Sequence, residues 1–172
     1  MKITVVRGDI TGQDVVAVVT AANTKLRGGG GVDGAVHAAA GPRLLQASLA
    51  LAPCPPGGAV ITEASDLAPV RWVIHAVGPI YQGPQDAVTL ASAYTQALAR
   101  ADEVGATSVA FPSISTGVYG CPQAQAGRVH VGAVRSGDGR SQRAAGRLQP
   151  PRAGALGAGS VRLTSPRGPS RR

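Results

Sequence analysis

The chain has 172 residues, 44% hydrophobic yet only 3% aromatic, and a formal charge of +8. That length supplies one domain with its own core, and with no run of 18 apolar residues and no charged-then-apolar leader, a soluble cytoplasmic protein without membrane contact is expected. Charge does not mark the whole chain as a nucleic-acid binder, because residues 1–126 carry seven Lys+Arg against eight Asp+Glu, whereas residues 127–172 carry ten Arg against the single acid Asp138.

Strands and helices alternate along the first part, which predicts a largely parallel sheet covered on both faces. The first strand runs over Ile3 to Val6 and is followed by Gly8-Asp9-Ile10-Thr11, where an acid at a strand end can accept hydrogen bonds from an amino group. A second apolar strand over Val15 to Val19 leads through Thr20-Ala-Ala-Asn23 into Gly28-Gly29-Gly30-Gly31-Val32-Asp33-Gly34 and a helix from about Val32 to Ala40. Gly41-Pro42 breaks that helix, a second follows through Leu44 to Leu51, and Pro53-Cys-Pro-Pro-Gly-Gly58 is a turn. Further strands are predicted over Ala59 to Thr62, Val73 to Val77 and Ser108 to Phe111, with a helix over Ala87 to Val104 between the last two.

The glycine run reads as a phosphate cradle, since main-chain N–H groups without Cβ atoms can turn on an anion at a helix N-terminus. It is neither of two familiar cradles. Gly29-x-Gly31-x-x-Gly34 lies seven residues beyond its strand and lacks an acid about twenty residues later, so a dinucleotide fold is disfavoured; Gly31 is followed by Val-Asp and not Lys-Ser/Thr, so it is no P-loop. A carboxylate beside a phosphate site repels the ligand unless it acts on a hydroxyl, a water or an electrophilic carbon, which singles out Asp33 over the alternative of a helix-dipole acid. A second loop, Ser113-Ile-Ser115-Thr116-Gly117-Val118-Tyr119-Gly120, supplies hydroxyls and amides for another phosphate and an aromatic face for a sugar.

Gly-Asp-Ile-Thr at 8–11, Ala-Ala-Asn at 21–23, the glycine run through His37, Val-Ile-His-Ala-Val-Gly-Pro at 73–79 and Ser-Thr-Gly-Val-Tyr-Gly fall in one order, and there the chain resembles the macrodomain family, in particular its hydrolases of ADP-ribose derivatives. The resemblance covers roughly the first 125 residues. It implies a three-layer α/β/α sandwich with a mostly parallel mixed sheet. It also implies an ADP-ribose site, with Asp9 and Ile10 at the adenine, and Gly29, Gly30, Gly31, Val32 and Ser115, Thr116, Gly117, Val118, Tyr119 clasping the diphosphate. Asn23 then holds the distal ribose, and Asp33 orients or deprotonates the attacking water. The expected activity is O-acetyl-ADP-ribose deacetylation or removal of ADP-ribose from acidic side chains of proteins, with no cofactor and no metal in the scheme. A non-catalytic ADP-ribose module and an inactive truncated domain are the alternatives. Thr20 stands where the family usually has Asn, keeping one hydrogen bond and losing the second partner of an amide.

The resemblance stops where composition changes. Residues 127–172 contain no Phe, Tyr, Trp, Met, Ile, Lys, Glu, Asn or Cys and no run of four apolar residues, so the domain is expected to span 1–126 without its usual last helix and strand. The Arg/Gly/Ala/Pro-rich remainder is expected to be disordered and has the alphabet of a frameshifted GC-rich sequence; translating the other two frames of its DNA would expose a lost apolar strand. Dispersed arginines without aromatics argue against nucleic-acid binding by that tail. His37 falls four residues after Asp33 on one helical face, where it is open to an acid–base pair, yet packing is the stronger reading for it and for His75; Cys54 and Cys121 read as free thiols with no zinc spacing.

Overall fold

A computed structural model describes residues 2–137 and 159–164. Strands β1 (Lys2–Arg7), β2 (Ala17–Ala21), β3 (Ala59–Glu63), β4 (Trp72–Ala76), β5 (Ser108–Phe111) and β6 (Gly159–Thr164) form one sheet in the order β1-β6-β5-β2-β4-β3. β2 runs parallel to both β4 and β5, whereas β3 and β6 are antiparallel to their neighbours, so the sheet is mixed. Helices α1 (Gly31–Ala40), α2 (Pro42–Leu49), α3 (Asp86–Glu103) and α4 (Gln123–Gly137) complete the chain order.

Side-chain alternation along the central strands generates the three layers. Ala17, Val19, Ile74, Ala76, Val109 and Phe111 pack with Leu90, Tyr94, Ala97 and Ala101 of α3 and Ala126 and Ala133 of α4. The intervening Val18, Val73 and Ala110 pack instead with Val36 and Ala40 of α1 and Leu44 of α2. With few aromatics, both half-cores are Val, Ala, Ile and Leu, and Tyr94 and Phe111 are the largest buried side chains of the described residues.

Two boundaries move from the sequence reading for local reasons. β2 starts at Ala17, two residues later than expected, because Val15 lies in the turn that follows a 3₁₀ helix over Ile10–Gly12, which Asp9 caps. α2 starts at Pro42 itself, whose fixed φ and missing N–H suit the first helical position.

The expectation that the last helix and strand are absent is corrected. α4 buries Ala126, His130 and Ala133, spaced four and three residues apart, against α3 and β5. A requirement for bulky apolar residues overlooks such a stripe, since small side chains let the helix approach closely. β6 lies between β1 and β5, with Val161 opposite Val5 and Phe111, and Leu163 opposite Ile3 and Val109. Its Val-Arg-Leu alternation is not an unbroken apolar run, but pairing on both sides is a main-chain property and needs no such run. The disorder expected for the tail falls, for residues 138–158 and 165–172, outside the described residues. Among the described residues no helix is long and apolar enough to cross a membrane.

Candidate active site

β2 and β5 are parallel neighbours, and β1 points the same way because the antiparallel β6 separates it from β5. The carboxyl ends of β1, β2 and β5 therefore share one edge of the sheet, where ligands of open α/β sheets bind. Asp9 follows β1, the glycine loop follows β2, and the 112–120 loop follows β5, so topology gathers the three predicted segments.

Asp9 is exposed, and its Oδ1 accepts a hydrogen bond from Thr11 N at 2.9 Å. The Thr11 amide, aided by its side chain, lowers the Asp9 pKa and keeps it a carboxylate acceptor. Ile10 is buried in the α1-side core, which leaves its main chain for any ligand.

The glycine loop is stapled from within. Asn23 Nδ2 donates to Gly28 O at 2.8 Å, its Oδ1 accepts from Lys25 N at 3.1 Å, and Leu26 is buried with Ala22, Cys54 and Val77. Gly28 (φ 74°) and Gly31 (φ 59°) take left-handed conformations that side chains resist. Gly30 caps α1 with no side-chain hydrogen bond, so the first-turn amides of Gly31, Val32 and Asp33 have no protein acceptor among the described residues, an arrangement that favours an anion. Gly34 is required for a different reason: a Cβ there would lie 2.5 Å from Gly29 O.

Asp33 is 3% exposed although it opens a helix. Thr20 Oγ1 donates to its Oδ1 at 2.9 Å, and His37 Nε2 stands 3.7 Å from the same oxygen. Its Oδ2 faces Gly29: a Cβ built on that glycine would be 3.5 Å from Oδ2 and 3.7 Å from Asn23 Nδ2, so acid and amide converge beside an exposed stretch of main chain. Burial pushes the Asp33 carboxyl above the usual range, opposed by the Thr20 hydrogen bond and by His37. A base poised upward in this way accepts a proton more readily than a surface carboxylate. Thr20 thus has a definite partner and holds the acid.

His75 sits opposite Thr20 across β2 and β4 on the same face, its Nε2 3.0 Å from Thr62 Oγ1; burial first, and His37 second, lower its pKa to about 4. Asp33, His37 and His75 each offer one ligand atom, all within 4.8 Å of one another, a group that among the described residues could hold a metal ion. The sequence reading sets His37 beside Asp33 but favours packing for both histidines, and what it lacks is His75 joining the pair; this follows from Thr20 and His75 sharing one register of adjacent strands.

In the second loop Ser115, with φ 65°, is buried and donates to Pro79 O at 2.8 Å, while Thr116 Oγ1 donates to Ser113 O at 2.9 Å. Both of these hydroxyl protons are thus used inside the fold, which leaves the loop's main-chain amides as its donors. The amides of Thr116, Gly117 and Val118 reach no acceptor among the described residues; Gly117 is exposed, the Val118 side chain is fully exposed, and Tyr119 is partly so, so the loop offers these two side chains beside its main chain. Tyr94 of α3 sets the loop's root, accepting from Ile114 N at 2.9 Å and donating to Pro112 O at 3.3 Å, a role nothing in the sequence separates from ordinary core packing. A cavity of about 450 Å³ lies behind the glycine loop, lined by Arg27, Gly28, Gly29, His37, Pro42 and Leu45 among others, and does not reach Asp9 or the second loop.

A family model described as Macro domain matches residues 19–130. A macro domain-containing protein of Listeria monocytogenes is 53% identical over 141 residues, covering 78% of this chain and 80% of the relative. A protein of Enterobacter sp. (strain 638) named O-acetyl-ADP-ribose deacetylase is 52% identical over 139 residues, covering 77% of each. Among solved structures, the Oceanobacillus iheyensis macrodomain with ADP matches with a TM-score of 0.70 at 37% identity, over 79% of this chain and 82% of that one. The Trypanosoma brucei macrodomain in complex with ADP-ribose matches with a TM-score of 0.72 at 40% identity, over 77% of this chain and 56% of that one.

Proposed function

This chain belongs to the macrodomain family, and on that premise we propose that it binds ADP-ribose and hydrolyses ADP-ribose esters, either O-acetyl-ADP-ribose or ADP-ribose carried on acidic side chains of proteins. The observation that carries the reading is the convergence of Asp33 Oδ2 and Asn23 Nδ2 beside Gly29, at an uncapped helix N-terminus. The first-turn amides of α1 take one phosphate and the free amides of 116–118 the other, from neighbouring strands of one sheet edge. Asp9 accepts the adenine amino group, Tyr119 lies along the diphosphate and its sugar, and Asn23 orients the distal ribose.

In the reaction a water sits between Asp33 and the substrate's own diphosphate. Asp33 accepts one of its protons, the water oxygen attacks the acyl carbon, and the bond from that carbon to the ribose oxygen breaks as the proton held by Asp33 passes to the departing oxygen, giving the free acid and ADP-ribose. Thr20 holds Oδ1 so that Oδ2 faces the water. Burial helps twice, by raising the basicity of Asp33 and by strengthening its field on the water.

A pure reader of ADP-ribose would use the same amides without an acid in the cradle. Replacing Asp33 by Ala separates the two: turnover of O-acetyl-ADP-ribose falls by at least about 100-fold while ADP-ribose affinity stays within a few fold. Unchanged turnover would remove Asp33 from the mechanism.

A further inference from the structure

Behind the glycine loop a buried carboxylate meets two imidazoles with unused nitrogens. Nδ1 of both His37 and His75 is buried and has no hydrogen-bond partner among the described residues, and Asp33 and His75 are 3% and 0% exposed. Apart from His37 at 3.7 Å, no cationic side chain approaches Asp33 among the described residues. A buried carboxylate in that position is costly, and a cation offsets the cost. The surroundings also match a metal site in their outer contacts: Thr62 fixes one nitrogen of His75 and leaves the other, and Thr20 fixes one oxygen of Asp33.

We propose that Asp33, His37 and His75 bind one borderline divalent transition ion, of which zinc is the type, and that the ion inhibits turnover by taking Asp33 away from the water. Two imidazoles and one carboxylate suit zinc, cobalt or nickel and are a poor set for magnesium or calcium. The ligand atoms lie within 4.8 Å of one another, and bonds of about 2.1 Å require them to draw in by roughly an ångström. Side-chain rotation supplies that movement on α1, where His37, the ligand that also lines the 450 Å³ cavity, has room to turn. Water completes the coordination. The inhibitory half of this inference rests on the hydrolase reading; the binding half does not.

The test uses the full chain stripped with chelator. Cobalt(II) serves as a spectroscopic probe, and zinc and magnesium are assayed for binding by calorimetry and for their effect on turnover. The expected result is one cobalt per chain with visible d–d bands of low coordination number, displaced by zinc and unaffected by magnesium. His37→Gln, at a partly exposed position, weakens zinc at least 10-fold and makes turnover resistant to zinc; His75→Gln weakens binding similarly if its circular dichroism shows a folded chain. Absence of the cobalt band, or a band unchanged in His37→Gln, overturns the site. Binding without inhibition of an active enzyme overturns the regulatory half. A cobalt band in a chain without any turnover supports the site and counts against the hydrolase reading alone.

Discussion

The loop after β2 keeps its chemistry in buried side chains that are incompletely partnered, Asp33 above all, whereas the loop after β5 turns the Ser115 and Thr116 hydroxyls inward and offers main-chain amides. The first stores an electrostatic cost and the second has almost none. A reaction needs the former, because a carboxylate already satisfied by water or arginine is a poor base; binding an anion needs only the latter. The division explains why α1 begins on an uncapped glycine while the second loop is braced by Tyr94 and Pro79.

The sharpest way to break the first loop is Gly34→Ala. In most helices that change stabilises, but here the new Cβ would lie 2.5 Å from Gly29 O, so the loop must open. Loss of both ligand affinity and turnover is expected, with about 1–3 kcal/mol of destabilisation in chemical denaturation; normal affinity would show that the loop geometry is not needed.

Breaking the second loop is gentler. Tyr94→Phe removes the hydroxyl that holds Ile114 N and Pro112 O, leaving the ring packing intact. An unsatisfied buried amide costs about 1–3 kcal/mol, and calorimetry should show ADP-ribose binding weakened several-fold with kcat little changed. A kcat defect equal to that of Asp33→Ala would erase the distinction between the loops.

Thr20→Val sharpens the comparison within the first loop. Without its donor the Asp33 carboxyl rises further, because the Thr20 hydrogen bond is one of the influences that lower it. The acidic limb of the kcat profile should move to higher pH, kcat should fall about 3–10-fold with KM nearly constant, and Thr20→Ser should restore both.

The smallest effect is on stability away from both loops. His130 of α4 stacks on Tyr94 at 4.2 Å, and burial lowers its pKa to about 4. The folded form then binds fewer protons than the unfolded one between about pH 6.5 and 4, so its stabilising contribution is present above pH 6.5 and is lost as pH falls to 4. His75, lowered likewise, adds to the same slope. Melting curves across that window should flatten in His130→Phe, which keeps the stack and removes one proton site.

The layers and the two loops were legible in the sequence because both rest on local signals, apolar strands ending in glycine or Ser-Thr-Gly turns. Asp33 stood out because a carboxylate is out of place in a phosphate cradle. What was illegible depends on pairing across the fold. β6 is held by two partners' main chains, Thr20 meets Asp33 only when β2 lies under α1, and Tyr94 reaches Ile114 only when α3 lies over β5. The C-terminal composition pointed to a missing helix and strand, yet a stripe of Ala126, His130 and Ala133 suffices for a helix whose two alanines pack in the core while His130 stacks on Tyr94 of α3.

The most direct measurement is thermal unfolding of the purified chain with and without ADP-ribose. The account predicts one cooperative transition that moves up with ligand, by about 2.7 kcal/mol of added stability at 100 times Kd, and an equal shift in Asp33→Ala. A broad transition, or a sharp one that ADP-ribose leaves in place, would contradict the claim that these two loops form an ADP-ribose site.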